Sequence, residues 1–127
     1  MPDQLQRPVV AVVDDDAAVL NALVFSLETE GFEVMAFGNG EDLIERGADR
    51  ADCLIIDERL PEGSSGVDLI RRLRARRIAA PAILITSNPD AALVQSAALA
   101  GATVVEKPLL GAALSAAVQA ALNHRSR

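Results

Sequence analysis

The stretch VVAVVDDD, residues 9–16, joins a continuous apolar run to three consecutive aspartates. A run of β-branched residues without polar alternation is typical of a strand that is buried on both faces of a parallel sheet. The C-terminal ends of parallel strands meet at one edge of the sheet, and open α/β sheets bind their ligands beyond that edge. Asp14, Asp15 and Asp16 are therefore predicted to lie where such a fold binds its ligands.

Similar apolar runs recur along the chain and alternate with longer segments of helical period. The predicted strands are residues 9–13, 32–37, 53–56, 82–85 and 103–105. The predicted helices are a first one that begins at residue 17 and stops at Gly31, followed by residues 40–48, 66–77, 90–100 and 109–123. Right-handed crossovers between parallel strands place helices on both faces of an open sheet. The fold class is therefore predicted to be α/β, a doubly wound (βα)5 arrangement around a five-stranded parallel sheet.

Length and composition narrow the classes of function. The 127 residues suffice for a single domain, residues 1–127, with a core at about residues 8–123 and short polar termini. The single cysteine, Cys53, is predicted to be a small buried apolar residue; one cysteine and the lack of an apolar N-terminal segment favour a cytoplasmic location. Residues 109–122 are too few to span a membrane. The net charge of -6 argues against nucleic-acid binding.

Polar or charged residues follow four of the five predicted strands. They are Asp14-Asp15-Asp16, Asp57-Glu58, Thr86-Ser87 and Glu106-Lys107-Pro108. Each group taken alone has an ordinary explanation, because an aspartate can cap a helix, a threonine can be a plain strand residue and a lysine can be a solvated charge. Taken together, they are predicted to converge on one edge of the sheet.

Phosphoryl transfer with a magnesium ion is the chemistry that suits such a cluster. Neighbouring carboxylates repel each other unless a cation compensates them, and Mg²⁺ prefers oxygen ligands and accepts phosphate oxygens. A free carboxylate can attack phosphorus to form an acyl phosphate while the metal, an ammonium and a hydroxyl hold the equatorial oxygens. Lys107 is the only lysine among twelve basic residues. A compact ammonium suits this role better than a planar guanidinium, although chance is the alternative explanation.

These residues resemble the receiver domains of bacterial two-component response regulators. The resemblance runs through VVAVVDDD, LIIDERLPEGSSGVDLI, AILITS and AGATVVEKPL. It implies a flavodoxin-like sheet with strand order 2-1-3-4-5, and it implies that Asp57 is both the phosphoacceptor and a metal ligand. The other implied roles are Asp15 as a direct Mg²⁺ ligand, Asp14 as an acid that holds the metal through water, Arg59 as a ligand through its backbone carbonyl, Thr86 as the switch hydroxyl and Lys107 as the phosphoryl-binding lysine.

Two features depart from the family pattern. The family commonly has an aromatic residue on strand five that moves with the switch hydroxyl, but here Val104 stands about where that residue is expected, with Val105 as the alternative. We therefore expect Thr86 to act without aromatic coupling. The segment PEGSSG, residues 61–66, is one residue longer than usual and is expected to be mobile. It either affects partner access and hydrolysis or is a tolerated surface insertion.

Two other classes of function share parts of this pattern. Asp14 to Asp16 reads D-x-D and resembles the haloacid-dehalogenase-type phosphatases, but no acid follows Glu106 and no insertion for selecting a substrate is present. The other alternative is a receiver-like module that binds partners without being phosphorylated. The full set of acids, hydroxyl and lysine argues against that alternative, whereas the missing aromatic favours it.

The function predicted from the sequence is that of a signalling phosphoacceptor rather than an enzyme, with self-phosphorylation and slow autodephosphorylation as its own chemistry. Its phosphodonor is expected to be a histidine kinase or a histidine phosphotransfer protein, and its output is expected to be a changed affinity for a downstream protein partner or for a second copy. No direct contact with nucleic acid or membrane is expected. The arginine-rich segment RRLRARR, residues 71–77, is predicted to turn its arginines to water, with docking of an acidic partner as the alternative.

Overall fold

The computed structural model describes residues 7–107 and 112–125. Strands and α-helices alternate along these residues. The strands are β1 (Val9–Val13), β2 (Glu33–Phe37), β3 (Cys53–Asp57), β4 (Ala82–Thr86) and β5 (Ala102–Glu106). The α-helices are α1 (Ala17–Thr29), α2 (Gly40–Arg46), α3 (Gly66–Ala75), α4 (Ala91–Leu99) and α5 (Ala112–Arg125), and short 3-10 turns occur at Ala48–Arg50 and Pro61–Gly63.

All strand pairings in the sheet are parallel, and the strand order is β2-β1-β3-β4-β5. This arrangement confirms the predicted fold class and strand order. The register places Val13 beside Ile56, so that Asp14 and Asp57 follow at neighbouring positions. Thr86 likewise lies beside Glu106. The acids, the hydroxyl and the lysine that follow these strands therefore share one edge of the sheet.

Two hydrophobic layers cover the sheet, one on each face. Leu54 and Ile56 of β3 point to the layer that α2, α3 and α4 complete. Cys53 and Ile55 point to the layer that α1 and α5 complete. Both faces exclude water, and this is why the central strands show no polar alternation. Cys53 is fully buried, which confirms its predicted place in the core.

The ends of the helices follow local signals in the sequence. Asp16 caps α1, because its Oδ1 accepts hydrogen bonds from the backbone N–H groups of Ala18 and Val19 at 3.0 and 3.3 Å. Gly31 has a φ of 95°, the left-handed conformation predicted for the residue that stops this helix. The predicted start of the last helix at residues 109–111 lies outside the described residues.

The predicted second and third helices are both shorter than expected. Gly47 is the C-cap of α2, so the helix ends at Arg46 and a 3-10 turn follows. Arg76 is the C-cap of α3, and Arg77 adopts a φ of 66°. The helix therefore ends at Ala75 rather than at residue 77.

The prediction that all the arginines of the arginine-rich segment point to water is wrong for Arg74. Its half-buried guanidinium donates hydrogen bonds to backbone carbonyls in the segment between α3 and β4 and just after the end of α4. The acceptors are Ile78 (2.9 Å), Ala80 (2.7 Å), Ala100 (2.9 Å) and Gly101 (3.1 Å). Helix ends leave carbonyls without intrahelical partners, and a guanidinium has five N–H donors with which to satisfy them. Arg74 thereby links the end of α3 to the end of α4.

The segment PEGSSG begins with the 3-10 turn at Pro61–Gly63 and is held by backbone hydrogen bonds. Ser64 N–H donates to the carbonyl of Pro61 at 3.3 Å, and Arg59 and Ser65 form an antiparallel bridge across the turn. The segment is thus a hydrogen-bonded turn, and its mobility stays a prediction.

Candidate functional site

The C-terminal ends of β1, β3, β4 and β5 surround a cavity of about 420 Å³. The cavity brings together every site residue predicted from the sequence except Val104. The residues that line it are Asp14, Asp15, Asp16, Asp57, Arg59, Thr86, Ser87, Asn88 and Lys107.

Three carboxylates form the acidic part of this site. One oxygen from each of Asp14, Asp15 and Asp57 lies within 4.8 Å of the others, a spacing that could hold a metal ion. Asp14 and Asp57 are buried, whereas Asp15 is exposed. Hard carboxylate oxygens at this spacing are the donors that Mg²⁺ and Ca²⁺ prefer. The chemistry of the donor set therefore fits a divalent cation.

Asp14 is the least solvated of these acids. Its Oδ1 accepts a hydrogen bond from Asp16 N–H at 2.9 Å. Its Oδ2 is buried and, among the described residues, meets the Lys107 ammonium at 3.5 Å as an ion pair without a well-formed hydrogen bond. Burial raises the pKa of Asp14, and the negative charge of Asp57 raises it further, against the opposing effects of the Asp16 N–H and of Lys107.

Lys107 places a positive charge directly beside two of these acids. Its Nζ lies 3.2 Å from Asp57 Oδ1 and 3.5 Å from Asp14 Oδ2. Burial lowers the pKa of Lys107, but the hydrogen bond to Asp57 and the two negative charges outweigh burial, so that the net shift is upward. The backbone N–H of Lys107 donates to the carbonyl of Thr86 at 2.8 Å and anchors the residue to β4. Lys107 therefore remains an ammonium shared between two acids.

Thr86 ends β4 at the wall of the cavity, where it is almost completely buried. Its Oγ1 accepts a hydrogen bond from Asn88 N–H at 3.2 Å. A threonine hydroxyl has one donor in addition to its acceptor positions. The hydroxyl that holds the loop after β4 therefore also has a donor available for a ligand in the cavity.

Val104 lies outside the cavity but on the same face of the sheet as Thr86. It pairs in register with Leu84, and side chains two residues apart on a strand share a face. Val104 packs against the hydrophobic layer of α2, α3 and α4, whereas Val105 packs against the opposite layer. Of the two candidates, Val104 is thus the one that lies on the face of Thr86.

Gly66, at the start of α3, is a site residue that the sequence reasoning missed. A Cβ atom at this position would lie 2.6 Å from the backbone oxygen of Asp57 and 2.5 Å from Leu84 Cδ1. The start of α3 therefore approaches the backbone of Asp57 as closely as a glycine permits. A glycine directly after a serine at the start of a predicted helix, as in SSGVDLI, is the signal that could have indicated this contact.

A family model described as the response regulator receiver domain matches residues 10–119. The chain belongs to this family, as the resemblance implied. Transcriptional regulatory protein FixJ of Azorhizobium caulinodans is 38% identical over 96% of the chain, which covers 57% of that protein. Phosphate regulon transcriptional regulatory protein PhoB of Rhizobium meliloti is 38% identical over 91% of the chain, which covers 52% of that protein. The chain thus spans about half the length of these curated relatives.

Solved structures show the same fold. The crystal structure of FixJ-N is 34% identical, covers 94% of this chain and 96% of its own, and superposes with a TM-score of 0.83. A CheY-like receiver domain protein from Methanospirillum hungatei reaches a TM-score of 0.86 over 95% of this chain and 98% of its own. At 22% identity, this second likeness supports the fold alone. Among the described residues, no helix is long and apolar enough to cross a membrane.

Proposed function

We propose that this chain is the phosphoacceptor of a two-component signalling system, with Asp57 as the residue that receives the phosphoryl group. The observation that carries the proposal is the position of Asp57. Its carboxylate is buried at the wall of the cavity, 3.2 Å from the ammonium of Lys107 and beside two further acids. Membership in the receiver family supports a histidine kinase or a histidine phosphotransfer protein as the donor.

The transfer itself exchanges one bond to phosphorus for another. A carboxylate oxygen of Asp57 forms the new P–O bond, while the P–N bond of a donor phosphohistidine breaks and its electron pair returns to the ring nitrogen. Negative charge spreads over the equatorial oxygens of the transferring group. The ammonium of Lys107 and the hydroxyl of Thr86 line the cavity and are the groups that would bind those oxygens.

The acidic cluster is proposed to bind Mg²⁺. Asp15 and Asp57 would be direct ligands, Asp14 would hold the ion through water, and Arg59 would contribute its backbone carbonyl. The bound ion would compensate the clustered negative charge and orient the phosphoryl oxygens. The buried Asp14 Oδ2, which has no hydrogen bond within the described chain, supports this role, because a hydrated cation would satisfy it.

The output is proposed to be a changed affinity for a protein partner, with Thr86 as the switch. If the hydroxyl of Thr86 turns toward a phosphoryl group on Asp57, its bond to Asn88 N–H weakens and the loop after β4 is released. Val104 occupies the coupled position without an aromatic ring. A homodimer, a cytoplasmic location and the absence of direct nucleic-acid contact stay predictions, and the names of the curated relatives describe transcriptional regulators.

The test is intact-protein mass spectrometry after incubation with acetyl phosphate and Mg²⁺. We expect one phosphoryl adduct in the wild type and none in Asp57→Asn. Asp68→Asn is the matched control, because Asp68 is an exposed acid that pairs with Arg71 on α3, and we expect it to retain the adduct.

Chelation of Mg²⁺ should abolish the adduct in both the wild type and the control. An adduct that persists in Asp57→Asn would refute the assignment of the acceptor. If neither acetyl phosphate nor a panel of histidine kinases produced an adduct, the alternative of a binding module that is not phosphorylated would replace the proposal.

A further inference from the structure

Glu58 follows Asp57 directly, yet its side chain does not join the acidic cluster. Its Oε1 accepts a hydrogen bond from the backbone N–H of Val67, in the first turn of α3, at 3.1 Å. Its backbone N–H donates to the carbonyl of Ile85 at 2.9 Å, and its carbonyl accepts from Gly66 N–H at 2.9 Å. Glu58 therefore bonds the end of β3 to β4 on one side and to the start of α3 on the other.

Residues 59–65 connect β3 to α3, and we call this segment the strap. The hydrogen bonds of Glu58 to α3 join the two ends of the strap. Arg59 and Ser65 form an antiparallel bridge at its base, and Leu60 N–H donates to the carbonyl of Ser64 at 3.1 Å. The two bonds from Glu58 to α3 lie just outside this bridge. The base of the strap is thus held by both the backbone and the side chain of Glu58.

The position of the strap determines the position of the site. Gly66 packs so closely on the backbone oxygen of Asp57 that a single added carbon would overlap it at 2.6 Å. Arg59, the first residue of the strap, lines the cavity and directs its N–H to Asp57 Oδ1 at 3.4 Å. A shift of the start of α3 would therefore move both Asp57 and Arg59.

We infer that Glu58 is a positioning residue for the metal site. By accepting the hydrogen bond from Val67 N–H it holds the strap closed, and it thereby fixes the Asp57 carboxylate and the Arg59 backbone where Mg²⁺ would bind. An acceptor oxygen is well suited to this place, because the first N–H groups of a helix have no intrahelical partner. The inference rests on the proposed function and deepens it.

Two substitutions separate the hydrogen bond of Glu58 from its charge. Glu58→Gln keeps the side-chain length and an acceptor oxygen but removes the charge. Glu58→Asp keeps the charge but is one methylene too short to reach Val67 N–H. The Mg²⁺ dissociation constant of each folded variant is measured by isothermal titration calorimetry at pH 7, without any phosphodonor.

We expect the Mg²⁺ dissociation constant of Glu58→Gln to lie within about twofold of the wild-type value. That of Glu58→Asp should be about tenfold higher, because losing a residue that supports metal ligands typically weakens metal binding by about this factor or more. The control is Asn39→Ala, which removes a comparable cap from α2, where Asn39 Oδ1 accepts from Asp42 N–H at 2.9 Å. We expect it to leave the Mg²⁺ affinity unchanged. If Glu58→Asp does not fold, Glu58→Met, which lacks an acceptor oxygen, takes its place with the same expectation.

The reverse order of affinities, with the glutamine variant weak and the aspartate variant normal, would show that the charge matters and would overturn the inference. Equal affinities in both variants, or an equal loss in Asn39→Ala, would overturn it as well. The wild-type titration separates this failure from that of the proposed function. Normal Mg²⁺ binding in every variant would refute only the positioning role of Glu58. A wild type that does not bind Mg²⁺ would refute the proposed metal site itself.

Discussion

Replacing Asp14 by asparagine is expected to stabilise the protein in the absence of Mg²⁺. Asparagine keeps an oxygen that accepts from Asp16 N–H, and it places an uncharged amide nitrogen where the buried Oδ2 lies. It removes one of three carboxylates whose oxygens lie within 4.8 Å of one another. The variant therefore loses a repulsive charge and keeps the hydrogen bond that positions the loop after β1.

The size of the effect follows from the charges around Asp14. At an effective dielectric constant of about 20, attraction to Lys107 Nζ at 3.5 Å is worth about 5 kcal/mol. Repulsion from Asp57, whose oxygen lies within 4.8 Å, is about 3.5 kcal/mol, and the exposed Asp15 adds a smaller repulsion that solvent screens. These contributions nearly cancel, and the cost of a buried oxygen without a hydrogen bond, about 1–3 kcal/mol, remains. We expect Asp14→Asn to raise the free energy of unfolding by about 1 kcal/mol, or the Tm by roughly 4 °C.

The assay is urea unfolding of wild type and variant between pH 3 and pH 8, with and without Mg²⁺. Because burial raises the pKa of Asp14 in the folded state, its ionised form destabilises the fold above that pKa, and the penalty disappears as the pH falls below the ordinary value of an aspartate. The advantage of Asp14→Asn should therefore be present at pH 7 and shrink in acid. Added Mg²⁺ should stabilise the wild type more than the variant. A variant that is less stable than the wild type at pH 7 without Mg²⁺ would refute this reasoning.

Two further predictions concern the contacts of Arg74 and the role of Thr86 as the switch. Arg74→Met should lower the free energy of unfolding by about 2–3 kcal/mol in urea titrations, because it removes four hydrogen bonds to backbone carbonyls. The control is Arg71→Met, which breaks an exposed ion pair and should change the free energy of unfolding by less than about 0.5 kcal/mol. Equal losses would contradict the assigned contacts. Thr86→Ala should still accept a phosphoryl group on Asp57. The phosphoryl analogue BeF₃⁻ is expected to shift the NMR signal of the Asn88 amide in the wild type but not in this variant. The same shift in both proteins would rule out Thr86 as the switch.

The sequence was sufficient to predict the sheet and the convergence of the site, because both depend on patterns along single strands. Buried runs identify parallel strands, and the residues that follow those strands must share an edge. Arg74 could not be predicted in this way, since two of its acceptors, Ala100 and Gly101, are more than twenty residues away in the chain. The contact of Glu58 with α3 could not be predicted either, because in the sequence an acid next to Asp57 looks like one more member of the acidic cluster. The structure shows instead that its side chain accepts a hydrogen bond from Val67 N–H in α3.

The use of lysine at residue 107 explains why part of the negative charge at this site is left without a positive partner. The ammonium of Lys107 is shared between Asp57 and Asp14 at 3.2 and 3.5 Å, so that it neutralises neither completely. A guanidinium could engage both carboxylates through its fork of donors, and it would then compete with a cation for the same oxygens. With lysine, two of the three clustered acids share one ammonium, so repulsion between the carboxylates remains. A cation that binds there relieves this repulsion and is bound more tightly as a result. A ligand that binds only the folded state stabilises the fold in proportion to the logarithm of one plus the ratio of ligand concentration to Kd. The same arrangement that destabilises the protein without Mg²⁺ should therefore make its stability rise with Mg²⁺ concentration, and this dependence should weaken when Asp14 is replaced by asparagine.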